Sequence, residues 1–384
     1  MEVVHYKDSD FEELISFLKK SWAPQHAIYD KSLFDWQYRV HEEDPCLSLL
    51  LKDEKTIIGF LGNISSNYIV NSDLVRGAAL AMWVVDEKYR TSGLGILLLK
   101  EVEKHHPVSL TLGCNLQVAP MYERMGYSYS SALNRYVLPL QAKGYMKLLK
   151  NTVDSVNIEQ WTDQIHRSLK ATIFSNHNIN AEQLEKLFHD SISGRFALYK
   201  QRDAEFWKWR YLNSKGYHYV LFGDPFDSGV VVARIDHVYD PDNEEMHGLK
   251  VLRVIELIPR SSEVWNGKDD PGFRELIAGV LAWAEQNGCV AADFQISNHR
   301  LEKLLNDVGF RLQNPDFTPD ENGLAGLFQP FRHRVNPINF VWKTRDSQGK
   351  ATSVAIDDTY FVKSDGDMDR PNIWPLPTGW NIYE

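Results

Sequence analysis

The stretch Arg90-Thr91-Ser92-Gly93-Leu94-Gly95 has the residue types and spacing to hold an anion. It stands between an apolar run, Ala79 to Val85, and a helix expected from about Gly95 to Lys104. Gly93 and Gly95 lack a Cβ, so the backbone there can approach a ligand closely. A helix N-terminus presents unpaired N–H groups and a partial positive charge. With the full charge of Arg90 beside it, such a loop is a cradle for a pyrophosphate. A dinucleotide loop would read G-x-G-x-x-G, usually after the first strand. Here the loop follows about the fourth strand and lacks the third glycine.

The elements that must position this loop read as an alternation of strands and helices. Val3 to Tyr6 is a short strand. Ser9 and Glu12 form a capping box for a helix near Asp10, with Phe11, Leu14, Ile15 and Leu18 on its buried face. Leu47–Leu51 and Thr56–Gly62 read as a hairpin, and Ala79–Val85 as a central strand. Pro107 stops the helix after the loop, and Ser109–Gly113 is the next strand. Pro120 opens a short helix and Gly126 closes it.

Val84 through Gly95 resembles the coenzyme A loop of GNAT acyltransferases. Asn115 through Tyr127 resembles the family segment that lies against the pantetheine arm and often supplies a tyrosine acid. The resemblance covers residues 1–135 well and 200–345 loosely. It implies acyl-CoA as co-substrate, carrying an acetyl or a short hydroxyacyl group, and no metal. The contacts it implies come from Val84, Val85, Arg90, Thr91, Ser92, Gly93, Leu94, Gly95, Ile96, Asn115, Ala119 and Tyr122. In the family the acyl group passes directly from the thioester to a neutral amine. A backbone N–H near Val84 or Val85 would stabilise the oxyanion, and Tyr122 would protonate the leaving thiolate. Asp86, Glu256, Asp357 and Asp358 are candidate bases, with proton loss to water as the alternative. Cys114 is a conceivable nucleophile, although a small buried cysteine is the commoner case.

The pattern repeats in order along the chain. Phe34-Asp35-Trp36-Gln37-Tyr38-Arg39 recurs as Phe206-Trp207-Lys208-Trp209-Arg210-Tyr211. The stretches 249–258, 273–286, 291–296 and 298–310 follow the order of the central strand, helix, strand and short helix of the first copy. The expected fold is α/β (α+β), with two tandem GNAT-like domains, each a mixed central sheet flanked by helices. Residues 1–140 form the acyl-CoA-binding domain, 141–190 a connector, and 191–384 a degenerate copy with a C-terminal extension that shapes the acceptor site. In the second copy Pro259 to Gly267 replaces the loop without its paired glycines.

The net charge of −10 argues against a nucleic-acid partner, whose binding leans on Lys and Arg. Three cysteines do not make a disulfide framework. No signal peptide or bilayer-length apolar run is read, so a cytoplasmic protein without a membrane partner is expected; no oligomeric state is implied. The plan resembles tandem GNAT enzymes that acylate nucleotide-linked amino sugars, and the tail resembles those of GNAT proteins associated with surface-polysaccharide synthesis. A diphosphate would need Arg332, Arg334 and Arg370, and a base would stack on Trp36, Trp207 or Trp209. The same side chains also read as solvated charge and core aromatics. Asp365, Asp367 and Asp369 alternate as calcium ligands do, but Arg370 and Leu376 break the pattern, leaving a solvated acidic turn. The alternatives are a mycothiol-synthase-like acetyltransferase, a Fem-type aminoacyltransferase, and a non-enzymatic acyl-CoA-binding module.

Overall fold

The computed structural model describes residues 1–39, 44–149, 155–169, 175–176, 178–313, 338–369, 371 and 374–378. The chain opens with β1 (Glu2–His5), α1 (Phe11–Ser21) and α2 (Lys31–Tyr38). A 3-10 turn precedes α1, closed by Asp10 accepting the Lys7 N–H at 2.9 Å in place of the expected Ser9–Glu12 box. The strands β2 (Leu49–Asp53), β3 (Thr56–Val70) and β4 (Asp73–Val85) follow as an antiparallel run rich in β-branched and apolar residues. Then come α3 (Leu94–His105), β5 (Val108–Leu112), α4 (Ala119–Arg124) and β6 (Ser128–Ser130).

After β7 (Asn134–Pro139), the connector is helical: α5 (Ala142–Lys147), α6 (Ser155–Ser168) and α7 (Ala181–Ile192). These helices contact β12, β7 and β11 respectively, where β11 is Lys250–Pro259 and β12 is Cys289–Ile296. The intervening elements are β8 (Leu198–Lys200), α8 (Ala204–Trp207), β9 (Val220–Asp224) and β10 (Gly229–His237). Helix α9 (Pro271–Gln286) joins β11 to β12. The chain then forms α10 (Glu302–Val308), β13 (Arg311–Leu312), β14 (Phe340–Arg345), β15 (Ala351–Thr352) and β16 (Thr359–Tyr360).

Two mixed sheets result, and they repeat one set of pairings. In the first, β2, β3 and β4 are antiparallel and β4 pairs with β5 in parallel. In the second, β9, β10 and β11 are antiparallel and β11 pairs with β12 in parallel. The central strand is bulged in both: Met82 takes φ 52° in β4, and the register of β11 skips Ile255. Helices flank both sheets, the α/β class expected from the sequence.

The two halves exchange strands. β7, from the first half, inserts between β12 and β13 of the second sheet, pairing antiparallel with each. β14, from the second half, inserts between β5 and β6 of the first. The linear divisions at residues 140 and 190 therefore do not coincide with the sheets. Residues 1–140 contribute a strand to the second sheet, and 191–384 contribute one to the first.

A small apolar cluster lies under α3, where Leu98, Leu99 and Val102 meet Leu49, Leu51, Ile58, Leu61 and Leu80. The larger core lies on the other face of the first sheet and continues through the second half. The two halves also join through α2 and α8. The Trp36 indole N–H donates to the Trp209 carbonyl at 2.9 Å, and the Trp209 indole N–H donates to the Trp36 carbonyl at 2.6 Å. This reciprocal pair corrects the expected alignment by one residue. The N-caps Asp30 and Asp203 each stand six residues before their tryptophan, so Trp36 matches Trp209 and Tyr38 matches Tyr211. A π-helical turn over Lys208–Leu212 carries the tryptophan of the second copy.

Candidate active site

The loop after β4 is a 3-10 turn, Glu87–Ser92, with no buried residue, followed by Gly93 at φ 77° and then α3. Asp86 caps the turn by accepting the Lys88 N–H at 3.0 Å, and its other carboxylate oxygen lies 4.0 Å from Lys20 Nζ. Arg90 fastens the loop. Its Nε donates to the Val85 carbonyl and its Nη2 to the Ser21 carbonyl, both at 3.2 Å, while the guanidinium stays exposed. The glycines divide the work. Gly93 supplies the left-handed φ, which side chains disfavour. A Cβ on Gly95 would lie 3.1 Å from Val85 Cγ2 and 3.3 Å from Trp83 Nε1, so that position lets α3 lie close against β4.

The helix N-cap, Gly93, has no side chain to cap the first turn, and the Leu94 N–H meets the Ser92 hydroxyl only at 3.4 Å. Thr91 and Ser92 are exposed, and Leu94 and Ile96 are part-exposed. This is an open helix N-terminus, suited to phosphate oxygens. The second copy is closed. Val264 and Trp265 of its loop are buried, and the Trp265 indole donates to Ser191 at 3.0 Å. The Asp270 carboxylate caps α9 by accepting the Phe273 N–H at 3.0 Å. A carboxylate on that helix end occupies the place an anion would take.

Beyond the loop the first sheet splays. β4 and β5 pair only over Gly77–Ala79 and Val108–Leu110, although β4 runs on to Val85 and β5 to Leu112. N–H groups on a strand point alternately to its two neighbours. Past Ala79, those of β4 that face β5 meet no ladder partner there. Val84 and Val85 lie in this stretch, paired on the other edge with Phe60 and Gly59.

Helix α4 borders this gap. Asn115 is exposed and opens the helix, its side chain accepting the Gln117 N–H at 2.9 Å and its carbonyl the Val118 N–H at 2.8 Å. Ala119 is buried, and so is Tyr122, whose ring lies 5.6 Å from Trp83 and 5.0 Å from Tyr127. Burial pushes the Tyr122 hydroxyl far above the ordinary tyrosine range, with the acids at Cys114 and Glu103 adding to it. Tyr122 therefore keeps its proton at neutral pH. Burial also lifts the Cys114 thiol to about 11, so it is not the thiolate a nucleophile needs.

Three residues missed by the sequence reading shape this place. The Trp83 indole N–H is buried beside Gly95 without a hydrogen-bond partner among the described residues. Asn339, just before β14, accepts the Gly113 N–H on its carbonyl at 2.8 Å and donates its amide to the Cys114 carbonyl at 3.0 Å. Met368 packs on Gly113, where a Cβ would sit 2.7 Å from its sulfur. Trp83 reads in sequence as one more apolar strand residue. Asn339 and Met368 are more than 200 positions from the loop and carry no local signal.

The expected acceptor residues fare differently. Trp207 is wholly buried and Trp36 and Trp209 are 8% exposed, joined to each other, so none offers a face to a ring-shaped ligand. They are core, because their indoles tie the halves together. Arg332, Arg334 and Arg370 lie outside the described residues. The acidic tail is not a solvated turn: Asp365, Asp367 and Asp369 are all buried. Asp365 pairs with Arg202 at 3.0 Å, and Asp369 pairs with Arg234 and Arg210. Glu256 is buried against Arg202 at 2.8 Å and accepts from the Tyr211 and Tyr360 hydroxyls, each at 2.6 Å, so it anchors the tail and cannot reach an acceptor. Asp357 and Asp358 hold the chain around Arg300. Among the described residues no group of His, Cys, Asp or Glu is placed to hold a metal ion.

The segment from α1 to the end of α4 thus holds a loop open to phosphates, a splayed central pair and a buried tyrosine. Residues 11–127 match the acetyltransferase (GNAT) family. Over that segment the chain is similar to the GNAT acetyltransferases. No curated protein matches the chain by sequence. Among solved structures, N-myristoyltransferase of Saccharomyces cerevisiae with bound myristoyl-CoA aligns at 12% identity and a TM-score of 0.53, covering 94% of this chain and 87% of that one. A GCN5-related N-acetyltransferase from Kribbella flavida aligns at 14% identity and 0.53, covering 91% and 72%. A probable N-acyltransferase from Enterococcus faecalis aligns at 9% identity and 0.53, covering 91% and 73%. These likenesses establish a shared fold across most of the chain, beyond the segment the family matches. No described helix is long and apolar enough to cross a membrane.

Proposed function

We propose that the protein is an acyl-CoA-dependent N-acyltransferase whose acceptor is the amine of a nucleotide-linked amino sugar. The observation that carries the donor half is the pairing of an open helix N-terminus at Gly93 with a β4–β5 pair that parts after Ala79 and Leu110. Pyrophosphate oxygens would lie on the first turn of α3, with Arg90, Thr91 and Ser92 around them. The thioester would enter the splay, its carbonyl meeting a β4 N–H at Val84 or Val85. A backbone donor fixed by the strand stabilises the developing oxyanion without reorganising. The neutral amine attacks, the tetrahedral intermediate collapses, and Tyr122 returns a proton to the leaving sulfur. The attacking amine sheds its proton to water; of the carboxylates considered as bases, Glu256 is buried in an ion pair with Arg202.

The acceptor half rests on chemistry from the second half of the chain. Its own loop is filled by Val264 and Trp265, while its tail delivers Met368 to the end of β5. One donor site facing a wall built by the other half suits a large acceptor, such as a sugar precursor for surface polysaccharide. The test is a thiol-release assay with acetyl-CoA and short hydroxyacyl-CoAs against a panel of nucleotide-linked amino sugars. Release of coenzyme A with matching acylation of one sugar is expected. Binding of acyl-CoA with no turnover on any amine would leave a binding module and sink the enzymatic reading.

A further inference from the structure

Where β4 and β5 part, the end of β5 opens outward. Gly113 is exposed and Cys114 part-exposed, although Leu110 and Leu112 just before them are buried. Gly113 takes φ 74° and carries no side chain, and Met368 fills the place of one. A Cβ there would lie 2.7 Å from Met368 Sδ, 3.1 Å from its Cε and 3.3 Å from its Cγ. Two residues earlier, Gly366 lies against Leu112, where a Cβ would stand 3.3 Å from Leu112 Cδ1. The tail thus crosses the end of β5. It does so on the face of the larger core, to which Leu112 belongs and against which Met368 packs. Trp83 and Tyr122 lie in the cluster under α3, on the opposite face.

Met368 is the exception within its own segment. Ser364, Asp365, Gly366, Asp367 and Asp369 are buried, whereas Met368 is part-exposed. Both ends of this run are pinned. The Asp365 carboxylate accepts from Arg202 Nη2 at 3.1 Å, and its carbonyl accepts from the Lys200 ammonium at 2.7 Å. The Asp369 carboxylate pairs with Arg234 and accepts the Tyr219 hydroxyl at 2.6 Å, and its carbonyl accepts from Arg210 at 2.7 Å. All of these partners are buried. A backbone held at 365 and 369 gives Met368 little room to retreat, and what freedom it keeps is that of its unbranched side chain.

A thioester carbonyl carbon holds its three groups in one plane. In the proposed donor geometry the sulfur turns to Tyr122 and the oxygen to a β4 N–H at Val84 or Val85. The acyl chain then points away from both, toward the end of β5 and the core face beyond it. We infer that Met368 closes that path and sets the ceiling on acyl length, so that acetyl and other short groups fit and medium chains do not. The inference rests on the proposed donor reading and adds to it a specificity-determining residue from the far end of the chain. It also gives the buried ion pairs at Asp365 and Asp369 a task, which is to hold that residue over Gly113.

The full chain is titrated calorimetrically with coenzyme A, acetyl-CoA, butyryl-CoA and octanoyl-CoA, and each acyl-CoA affinity is divided by that of coenzyme A for the same variant. In the parent, octanoyl-CoA is expected to bind about tenfold or more weakly than acetyl-CoA, the penalty of forcing extra methylenes into filled space. Met368→Ala should remove most of that difference, and Met368→Leu, which keeps the volume, should retain it. Should the cavity left by Met368→Ala prevent folding, Met368→Val serves in its place. Equal affinities for octanoyl-CoA and acetyl-CoA in the parent, or one ratio shared by the parent and the shortened variant, would overturn the ceiling. A residue that only fills the core would shift all four affinities together and leave the ratios alone. If coenzyme A itself does not bind the parent, the donor reading fails and the ceiling with it. If coenzyme A binds and chain length makes no difference, the ceiling fails alone.

Discussion

Tyr122 has the properties of a proton donor and not of a base. Its hydroxyl is buried between Trp83 and Tyr127, and burial holds its proton well past neutral pH. Tyr122→Phe keeps the ring packing and removes only the proton. Turnover should fall by about 10²-fold with coenzyme A affinity unchanged, as steady-state kinetics and calorimetry would report. An unchanged rate would remove the role. Tyr122 was singled out through the likeness of Asn115–Tyr127 to a family segment, not through any signal of its own in the sequence. Trp83 was not, because an indole in an apolar strand reads as core until its N–H is seen to lack a partner. Trp36, Trp207 and Trp209 failed the other way. An aromatic side chain can stack on a ligand or bury itself, and only the position of the opposite half decides which.

The helix after the loop depends on the strand it lies on. Gly95→Ala would press a methyl to 3.1 Å from Val85 Cγ2 and displace the N-terminus of α3 from β4. Coenzyme A affinity should fall by about tenfold or more, because the N–H groups leave their aim. Gly93→Ala meets no neighbour within 4 Å but must hold φ near 77°, a strain of about 1 kcal/mol that lowers melting temperature more than affinity. Calorimetry and thermal unfolding on the two variants separate these effects; equal losses of affinity would refute the division of labour. The loop and both helices were readable within a few residues, because glycine spacing and prolines act locally, whereas the strand before the loop starts at Asp73, ahead of the apolar run from Ala79. The slip in aligning α2 with α8 arose because Phe34 and Phe206 look alike, while the N-caps Asp30 and Asp203 set the true correspondence.

No local pattern announces that β7 and β14 trade places. Each reads as an ordinary short apolar strand, and its partner lies beyond any window in which periodicity can be seen: Leu110 pairs with Trp342, and Val137 with Asp293. The exchange makes each sheet incomplete without the other half. Urea unfolding of the intact chain should therefore be one transition, with tryptophan fluorescence and far-UV circular dichroism coincident. A chain cut after residue 140 should fail to give a folded, coenzyme A-binding protein. Two separated transitions, or a binding-competent fragment, would show that the exchange is ornamental. The same topology bears on synthesis. β5 waits for β14, and Gly113 and Cys114 wait for Asn339, so a ribosome must deliver nearly the whole polypeptide before the edge of the donor site has its neighbours. A nascent chain that has emitted the loop alone is not yet a catalyst, and it carries an open sheet edge, a hazard for aggregation, through most of its translation.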